Sequence, residues 1–298
     1  MRGNGTITPQ APASLKGKGT RIGERLAVAC TFLSTIAIVI PVILIVILIV
    51  SNSRQALSWE FVSAMPRERM TAGGIFPAIL GTVYLVIGTV LIAMPLGILA
   101  AVYLAEYAKQ GPLTRIIRLA IVNLAGVPSV VYGLFGYGVF VLLMGFGASI
   151  LSGSLTLALL SLPLVITATE EALRTVPRGF RDASLALGAT KFQTIWKVVL
   201  PGALPGILTG AILSIGRAAG ETAPILFTAA VFFQRDLPNS VFSPVMALPY
   251  HLYIMATQVP KAPAHIQWGT ALVLIVIVLL ANTGATVLRS RLRRSRNY

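Results

Sequence analysis

Long apolar runs separated by short charged segments dominate the hydrophobicity pattern of this chain. Lys, Arg, Asp and Glu are missing from residues 26–53, 70–105, 119–169, 198–216 and 262–288. A helix that crosses a bilayer needs about 20 apolar residues. The pattern therefore predicts transmembrane helices joined by short polar connections.

Six spans are predicted once the two irregular runs are resolved. Run 119–169 is long enough for two helices, and the small, polar segment 145–154 is its natural break. The run that begins at 198 continues past Arg217 and Glu221 as a fifth span. The predicted helices lie near 26–53, within 70–105, and near 119–144, 155–173, 203–232 and 262–288. We therefore expect an all-α integral membrane protein.

Composition supports this class and excludes several others. Hydrophobic residues make up 56% of the chain and charged residues only 11%, against about 25% charged residues in soluble domains. Run 26–53 is longer than the roughly 7–15 residues of a signal-peptide core, so we interpret it as a retained first span. Cys30 and the two histidines, His251 and His265, form no disulfide or zinc pattern.

The net charge of +15 becomes informative when the basic residues are assigned to alternate sides of the membrane. The N-terminal tail, loop 106–118, loop 174–197 and the C-terminal cluster carry 5, 3, 5 and 5 Lys or Arg, and the opposite side carries 5 in total. Under the positive-inside rule both termini are cytoplasmic. The C-terminal arginines directly follow a span, where they anchor topology and contact anionic lipid rather than nucleic acid.

The cytoplasmic segment between the fourth and fifth spans predicts short amphipathic helices. Pro177 can begin a helix, and Phe180, Ala183 and Leu187 recur at helical spacing, followed by Ile195 and Val199. From the residues alone, such a segment is either an interfacial helix on the membrane or a docking element for a partner.

The same segment resembles the "EAA" loop of ABC importer permeases of the type I (MetI-like) fold. Asp182, Ala183 and Ser184, then Gly188, then Leu200 and Pro201 follow its spacing, with Asp for Glu, Ser for Ala and Val198 for Ile. The resemblance implies a coupling helix that docks on an ATPase. It also fits the lack of a G-x-x-x-x-G-K-[ST] loop here, because the partner would bind ATP and Mg²⁺. Gly188 is expected to separate two short helices.

Two charges within the fifth span are the candidate substrate contacts. Each of Arg217 and Glu221 costs about 2.5–3.5 kcal/mol to insert at mid-bilayer, and their spacing of four places them on one face of a helix. One interpretation is a neutralising structural pair. The other is an anion pathway, in which Arg217 contacts the oxyanion, Glu221 limits its affinity and Thr222 adds a hydroxyl donor.

Residues 217–229, 73–82, 95–108 and 124–136 resemble the phosphate branch of these permeases, specifically PstA-type subunits. The resemblance implies a partnership with a PstC-type permease, a PstB-type ATPase dimer and an extracytoplasmic PstS-type binding protein in the bacterial inner membrane. It assigns residues 70–290 to the permease domain, with the coupling loop at about 174–201. Residues 1–25 and 291–298 become cytoplasmic tails, and 26–53 an additional first helix.

Three smaller features leave alternatives open. Gly206, Gly210, Ser214, Ala218 and Thr222 form a small-residue stripe that fits either a helix of this chain or a like subunit. The outer loop 234–265 lies on the membrane or faces the binding protein. The G-L-F-G-Y-G sequence at 133–138 predicts helix packing and no nucleotide site.

Two other function classes are not supported by the sequence. A secondary transporter would show inverted repeats, and an enzyme would show a cluster of catalytic groups; the sequence shows neither.

Overall fold

The computed structural model describes residues 18–259 and 263–294. Most of the two predicted tails, 1–25 and 291–298, therefore lies outside the described residues. The chain divides into two compact units, residues 1–51 and 52–298. The regular secondary structure of the described part is helical apart from a short hairpin in which strands β1 (Pro66–Arg67) and β2 (Ala72–Gly73) pair antiparallel. The prediction of an all-α membrane protein is confirmed.

The first unit contains most of helix α1, which runs from Lys18 to Ser53. Its apolar part, Gly23–Ser53, has a mean hydropathy of 3.2 and is long enough to cross a bilayer. Large apolar side chains are exposed around the whole helix. A helix that is apolar on all sides is suited to lipid as its solvent.

The second unit is built from eleven further helical segments within the described residues. In chain order they are α2 (Trp59–Ser63), α3 (Phe76–Val102), α4 (Pro112–Ala125), α5 (Ser129–Gly136), α6 (Ile150–Thr175), α7 (Arg178–Ala186), α8 (Lys191–Thr194), α9 (Leu200–Gly220), α10 (Ala223–Thr228), α11 (Leu248–Thr257) and α12 (Ala264–Arg294). Wider π-helical turns extend α3 over Tyr103–Tyr107, extend α5 over Tyr137–Leu143, and join α8 to α9 over Ile195–Val199.

Five helices of the described chain are long and apolar enough to span a membrane. They are Gly23–Ser53, Phe76–Tyr107, Ile150–Thr175, Lys191–Gly220 and Ala264–Arg291. A sixth crossing is available if the pair Pro112–Ala125 and Ser129–Leu143, bent by 102°, counts as one span. The prediction of a single helix near 119–144 is wrong, because the chain turns sharply between α4 and α5.

Proline chemistry explains this bend. Pro128 precedes the first residue of α5, and a proline cannot donate a hydrogen bond to the carbonyl four residues earlier. That carbonyl, on Leu124, instead accepts the hydroxyl proton of Tyr132 at 2.9 Å and the amide proton of Val127 at 3.1 Å. The freed backbone group is thereby satisfied, as a membrane interior requires.

Close packing of α6 against α9 uses the small-residue stripe. A Cβ at Gly206 would lie 2.5 Å from the Cβ of Ala172, and a Cβ at Gly210 would lie 2.8 Å from the Cβ of Ala168. Both partners belong to α6, so this part of the stripe packs against a helix of the same chain. Large side chains at these positions would force the two helices apart.

Outer loop 234–265 is folded against the helices in its described part. Helix α11 buries Leu248, Ile254 and Met255 in an apolar cluster with Ile75 of the α3 N-terminus and Ile266 of α12. The backbone N–H of Leu248 donates to the hydroxyl of Thr82 at 2.8 Å. One face of α11 is therefore core, which neither of the two predictions for this loop anticipated.

Candidate functional site

The predicted site residues fall into two groups at opposite ends of α9. Leu200 and Pro201 begin this helix and Arg217 lies in its last turn. At 1.5 Å per residue its 21 residues span about 30 Å. The predicted coupling group and the predicted substrate group are thus separated by roughly the thickness of a hydrocarbon core.

The substrate group lies at a helix break that the sequence interpretation missed. Helix α9 ends at Gly220, Glu221 is extended with φ −77° and ψ 126°, and α10 starts at Ala223. The prediction of one helix over 203–232 is therefore wrong. Pro224 is the cause, because its ring would collide with the carbonyl of Gly220 in a continuous helix. A proline two residues into a new helix was the signal available in the sequence.

Arg217 and Glu221 nevertheless form the predicted pair. The Nε of Arg217 lies 3.3 Å from Oε1 of Glu221, and their side chains are 35% and 20% exposed. No other hydrogen bond to the Arg217 side chain occurs within the residues that the structure describes. The two terminal nitrogens of the guanidinium therefore keep their donors, in the planar arrangement that matches two oxygens of an oxyanion.

The break exposes this pair on one face of α9. Leu213 and Gly220 are exposed on the same face as Arg217, whereas Ser214 and Ala218 are buried. Thr222 is half-buried, and its side chain makes no capping bond to α10. The geometry thus leaves one cation, one carboxylate and one hydroxyl near an uncovered surface.

Helix α5 packs against the start of α10, next to this helix break. A Cβ at Gly133 in α5 would lie 2.9 Å from the carbonyl oxygen of Ala223 and 3.0 Å from the Cα of Pro224. Gly133 belongs to the G-L-F-G-Y-G sequence, so the prediction that this sequence serves helix packing is confirmed at this position. The middle of α5 and the start of α10 are therefore in close backbone contact.

The coupling group is organised around α7, which carries Asp182, Ala183 and Ser184. Pro177 precedes this helix, as predicted, and Gly188 follows it with φ +84°. This left-handed conformation strongly favours glycine, and it turns the chain toward α8. The predicted two-helix hairpin with Gly188 at its break is therefore present.

The apolar face predicted for this segment divides into two parts. Ile195 and Val199 are buried within the bundle. Phe180 and Leu187 on the α7 side are 62% and 89% exposed. Because α7 itself buries no residue in this chain, its apolar side chains are free to enter a partner.

Charged side chains hold α7 to the membrane helices. The Nη2 of Arg181 donates to Oε1 of Glu106 at 2.9 Å and to the carbonyl of Leu173 at 2.8 Å, and its Nη1 donates to the carbonyl of Val176. Next to this contact, Glu170 accepts from Arg118 at 2.8 Å and from Arg174 at 2.6 Å. Sequence reasoning missed both clusters. Glu106 and Arg181 are 75 residues apart, whereas Glu170 and Arg174 have the four-residue spacing of a helix pair, which was a signal available in the sequence.

Two shorter contacts complete the predicted coupling group. The hydroxyls of Ser184 and Thr194 lie 2.9 Å apart and join α7 to α8. The ammonium of Lys191 lies 4.9 Å from the ring centre of Tyr107, a cation–π contact between α8 and the end of α3. A cavity of about 700 Å³ opens between α7 and the spans, and Glu106, Arg118, Arg178 and Arg181 are among the residues that line it.

Comparison with known proteins places the chain in a family. Residues 93–297 match the family described as "Binding-protein-dependent transport system inner membrane component". The probable ABC transporter permease protein YqgI of Bacillus subtilis is 37% identical over 250 residues, which cover 80% of this chain and 85% of that protein.

A second relative and a solved structure agree. The phosphate transport system permease protein PstA 1 of Mycobacterium tuberculosis is 36% identical over 274 residues, covering 90% of this chain and 89% of that protein. A chain of the bacterial alginate ABC transporter, crystallised with its alginate-bound periplasmic protein, superposes with a TM-score of 0.67 at 14% identity, covering 91% of this chain and 96% of that one. This last likeness shows the fold alone.

Proposed function

Because the chain belongs to the family of binding-protein-dependent transport system inner membrane components, we propose that it is a membrane-spanning subunit of an ATP-driven phosphate importer. The 36% identity to a phosphate permease over 90% of this chain carries the choice of cargo. The chain is a transport subunit and not an enzyme. Another oxyanion is the alternative cargo, because Arg217 would pair with it through the same two donors.

The proposed assembly has four kinds of partner. A second, PstC-type permease completes the pathway, a PstB-type ATPase dimer binds ATP and Mg²⁺, and a PstS-type protein delivers phosphate. The exposed side chains of Phe180 and Leu187 supply an apolar surface for the ATPase. In this arrangement Asp182, Ala183, Ser184 and Gly188 lie at the ATPase contact, and both termini are cytoplasmic.

In the proposed pathway Arg217 contacts the passing anion and Glu221 limits how tightly it binds. The pair occupies only the Nε of the guanidinium, so phosphate can meet the two terminal nitrogens while Glu221 stays in place. A nearby carboxylate repels the anion and favours its release. Because the backbone at Glu221 is extended, this carboxylate lies between α9 and α10 and is not part of a continuous helix.

Uptake of labelled phosphate tests this proposal. Arg217→Gln is expected to abolish uptake while the complex assembles at its normal yield, and Arg217→Lys is expected to retain partial uptake because it keeps the charge without the planar fork. Arg289→Gln is the matched control, since Arg289 bonds Thr209 at 2.9 Å from the neighbouring helix α12. It should leave uptake unchanged.

The opposite result would be equally clear. Normal uptake by Arg217→Gln would leave Arg217 and Glu221 as a structural pair and remove the pathway role. A wild-type complex that takes up a different oxyanion in competition assays, and ignores phosphate, would replace the proposed cargo. Glu221→Gln should bind phosphate more tightly and turn over more slowly, because the competing carboxylate charge is gone.

A further inference from the structure

Helix α7 is attached to the membrane helices in an unusual way for a helix that must transmit force. It buries none of its residues in this chain, and a cavity of about 700 Å³ lies beside it, lined by residues of α7, of α4 and of the ends of α3 and α6. Apolar packing therefore does not connect its body to the bundle. Whatever moves α7 must reach the spans through its polar contacts or through the backbone at its ends.

Arg181 supplies the most extensive of these polar contacts. Its side chain is only 20% exposed, in contrast to Phe180 before it, which is 62% exposed, and it bonds three acceptors on two other elements. Two of the acceptors, the carbonyls of Leu173 and Val176, lie at the C-terminal end of α6. The third is the carboxylate of Glu106, in the π-helical turn that ends α3.

We propose that Arg181 is a positioning residue that links movement of α7 to movement of α3 and α6, with Glu106 as its partner on α3. A guanidinium is suited to this task because its planar donors can hold several acceptors in fixed directions. Carboxylate and guanidinium in a partly buried site form a stronger bond than neutral groups do. The inference rests on the proposed function, since it needs an ATPase that moves α7.

The link reaches α3 by a route that the covalent chain does not offer. Backbone continuity joins α7 to α6 through residues 176 and 177, but Glu106 is 75 residues away in sequence. Without the Glu106 contact, α7 would remain connected to α6 through the backbone, but it would lose its bond to α3. The expected defect is thus in the yield of transport per ATP and not in ATP hydrolysis itself.

The test uses the whole complex, purified through this chain and reconstituted in proteoliposomes with its binding protein. Phosphate uptake and ATP hydrolysis are measured together, and their ratio is the readout. Glu106→Gln and Arg181→Gln should each lower the ratio about tenfold, the size expected for a charge-assisted hydrogen bond. The double variant should lower it no further than Arg181→Gln alone, because Arg181→Gln already removes the contact to Glu106 together with those to the carbonyls of Leu173 and Val176.

A matched control breaks a neighbouring ion pair at the same end of α6. Arg174→Gln removes one of the two arginines on Glu170; the Arg174 side chain is 59% exposed, and Arg118 still holds Glu170 at 2.8 Å. This variant should keep the wild-type ratio. Glu106→Asp, whose shorter side chain cannot keep the 2.9 Å contact without a shift, should fall between wild type and Glu106→Gln.

Two outcomes would overturn the proposal. One is a wild-type ratio in Glu106→Gln complexes of normal yield. The other is failure of both Glu106→Gln and Glu106→Asp to retain the ATPase, which would make the pair a docking support. If the wild-type complex hydrolyses ATP with its loaded binding protein but transports another anion, the assignment of phosphate as the cargo is wrong. The ratio of transport to ATP hydrolysis, measured with that anion, still tests the role of Arg181 and Glu106.

Discussion

Acidification should destabilise the part of the second unit around α11 through a single buried histidine. His251 lies in α11, which is not one of the membrane-spanning segments, and it is 3% exposed. Its Nδ1 lies 3.3 Å from the hydroxyl of Thr270 in α12. Thr270 already donates its proton to the carbonyl of Ile266, so Nδ1 carries the hydrogen of a neutral ring.

Burial lowers the pKa of the His251 imidazole from 6.5 to about 4. Above the unfolded-state value near 6.5 both states hold a neutral ring, and this group contributes no pH dependence. As the pH falls below 6.5, the unfolded chain takes up a proton that the folded chain refuses, so stability is lost until the pH reaches about 4. Between about pH 7.5 and about pH 4.5 the loss amounts to about 2.5 kcal/mol.

The assay is thermal unfolding of the purified protein in detergent at the two pH values. For a unit of this size the loss corresponds to a decrease in Tm of about 5 to 10 °C. Other groups also titrate, so the quantity to compare is the pH-induced change in Tm of wild type and of His251→Asn. Asn stays neutral and can still donate to Thr270. His265→Asn is the control, because it leaves His251 in place.

His251→Asn should lose most of the acid sensitivity that wild type and His265→Asn show. If all three proteins lose the same number of degrees on acidification, the argument from burial is wrong. A larger acid sensitivity in His251→Asn would also refute it. Hydrogen exchange of α11 offers a second readout, because the destabilisation should be greatest where the charged ring would be buried.

Three further predictions concern backbone geometry and packing. Gly188→Val should reduce co-purification of the ATPase, because φ +84° costs a residue with a Cβ about 1–2 kcal/mol. Gly188→Asn is the control, since Asn tolerates this conformation. Equal recovery of the ATPase with both variants would contradict the coupling role. Gly206→Leu should lower Tm by overpacking α6 against α9, a cost of about 1–3 kcal/mol. Gly220→Leu, where no atom lies within 4 Å of the added Cβ, should leave Tm nearly unchanged, and similar losses in both would refute the packing argument. Tyr132→Phe removes one of the two donors to the Leu124 carbonyl at the bend, leaving the amide of Val127. It should cost about 1 kcal/mol of unfolding free energy, and an unchanged unfolding midpoint would count against it.

Local pattern was sufficient for much of this fold. The apolar runs predicted the spans, because lipid requires about 20 apolar residues for each crossing wherever the neighbours lie. Pro177 and Gly188 marked the two ends of α7, because both act through the conformation of their own backbone. Small residues at 206 and 210 predicted a close helix contact without identifying the partner, which the structure shows to be α6.

Helix breaks were only partly readable from the chain. Pro128 and Pro224 were visible, yet a proline within a membrane helix produces either a kink or a break, and the choice depends on what satisfies the freed carbonyl. At Leu124 the hydroxyl of Tyr132 and the amide of Val127 satisfy this carbonyl. At Glu221 the extended backbone leaves the ion pair intact at 3.3 Å, so the pairing was predicted correctly from an incorrect helix.

Tertiary structure alone decided the charge network that surrounds α7. Glu106 and Glu170 each directly follow a charge-free run, and Arg118 precedes one, but the sequence does not indicate that Arg118 meets Glu170 or that Arg181 meets Glu106. Partners 75 residues apart meet only after the ends of α3, α4 and α6 are packed together. Periodicity is a property of neighbours along the chain, whereas this network depends on distances that packing sets.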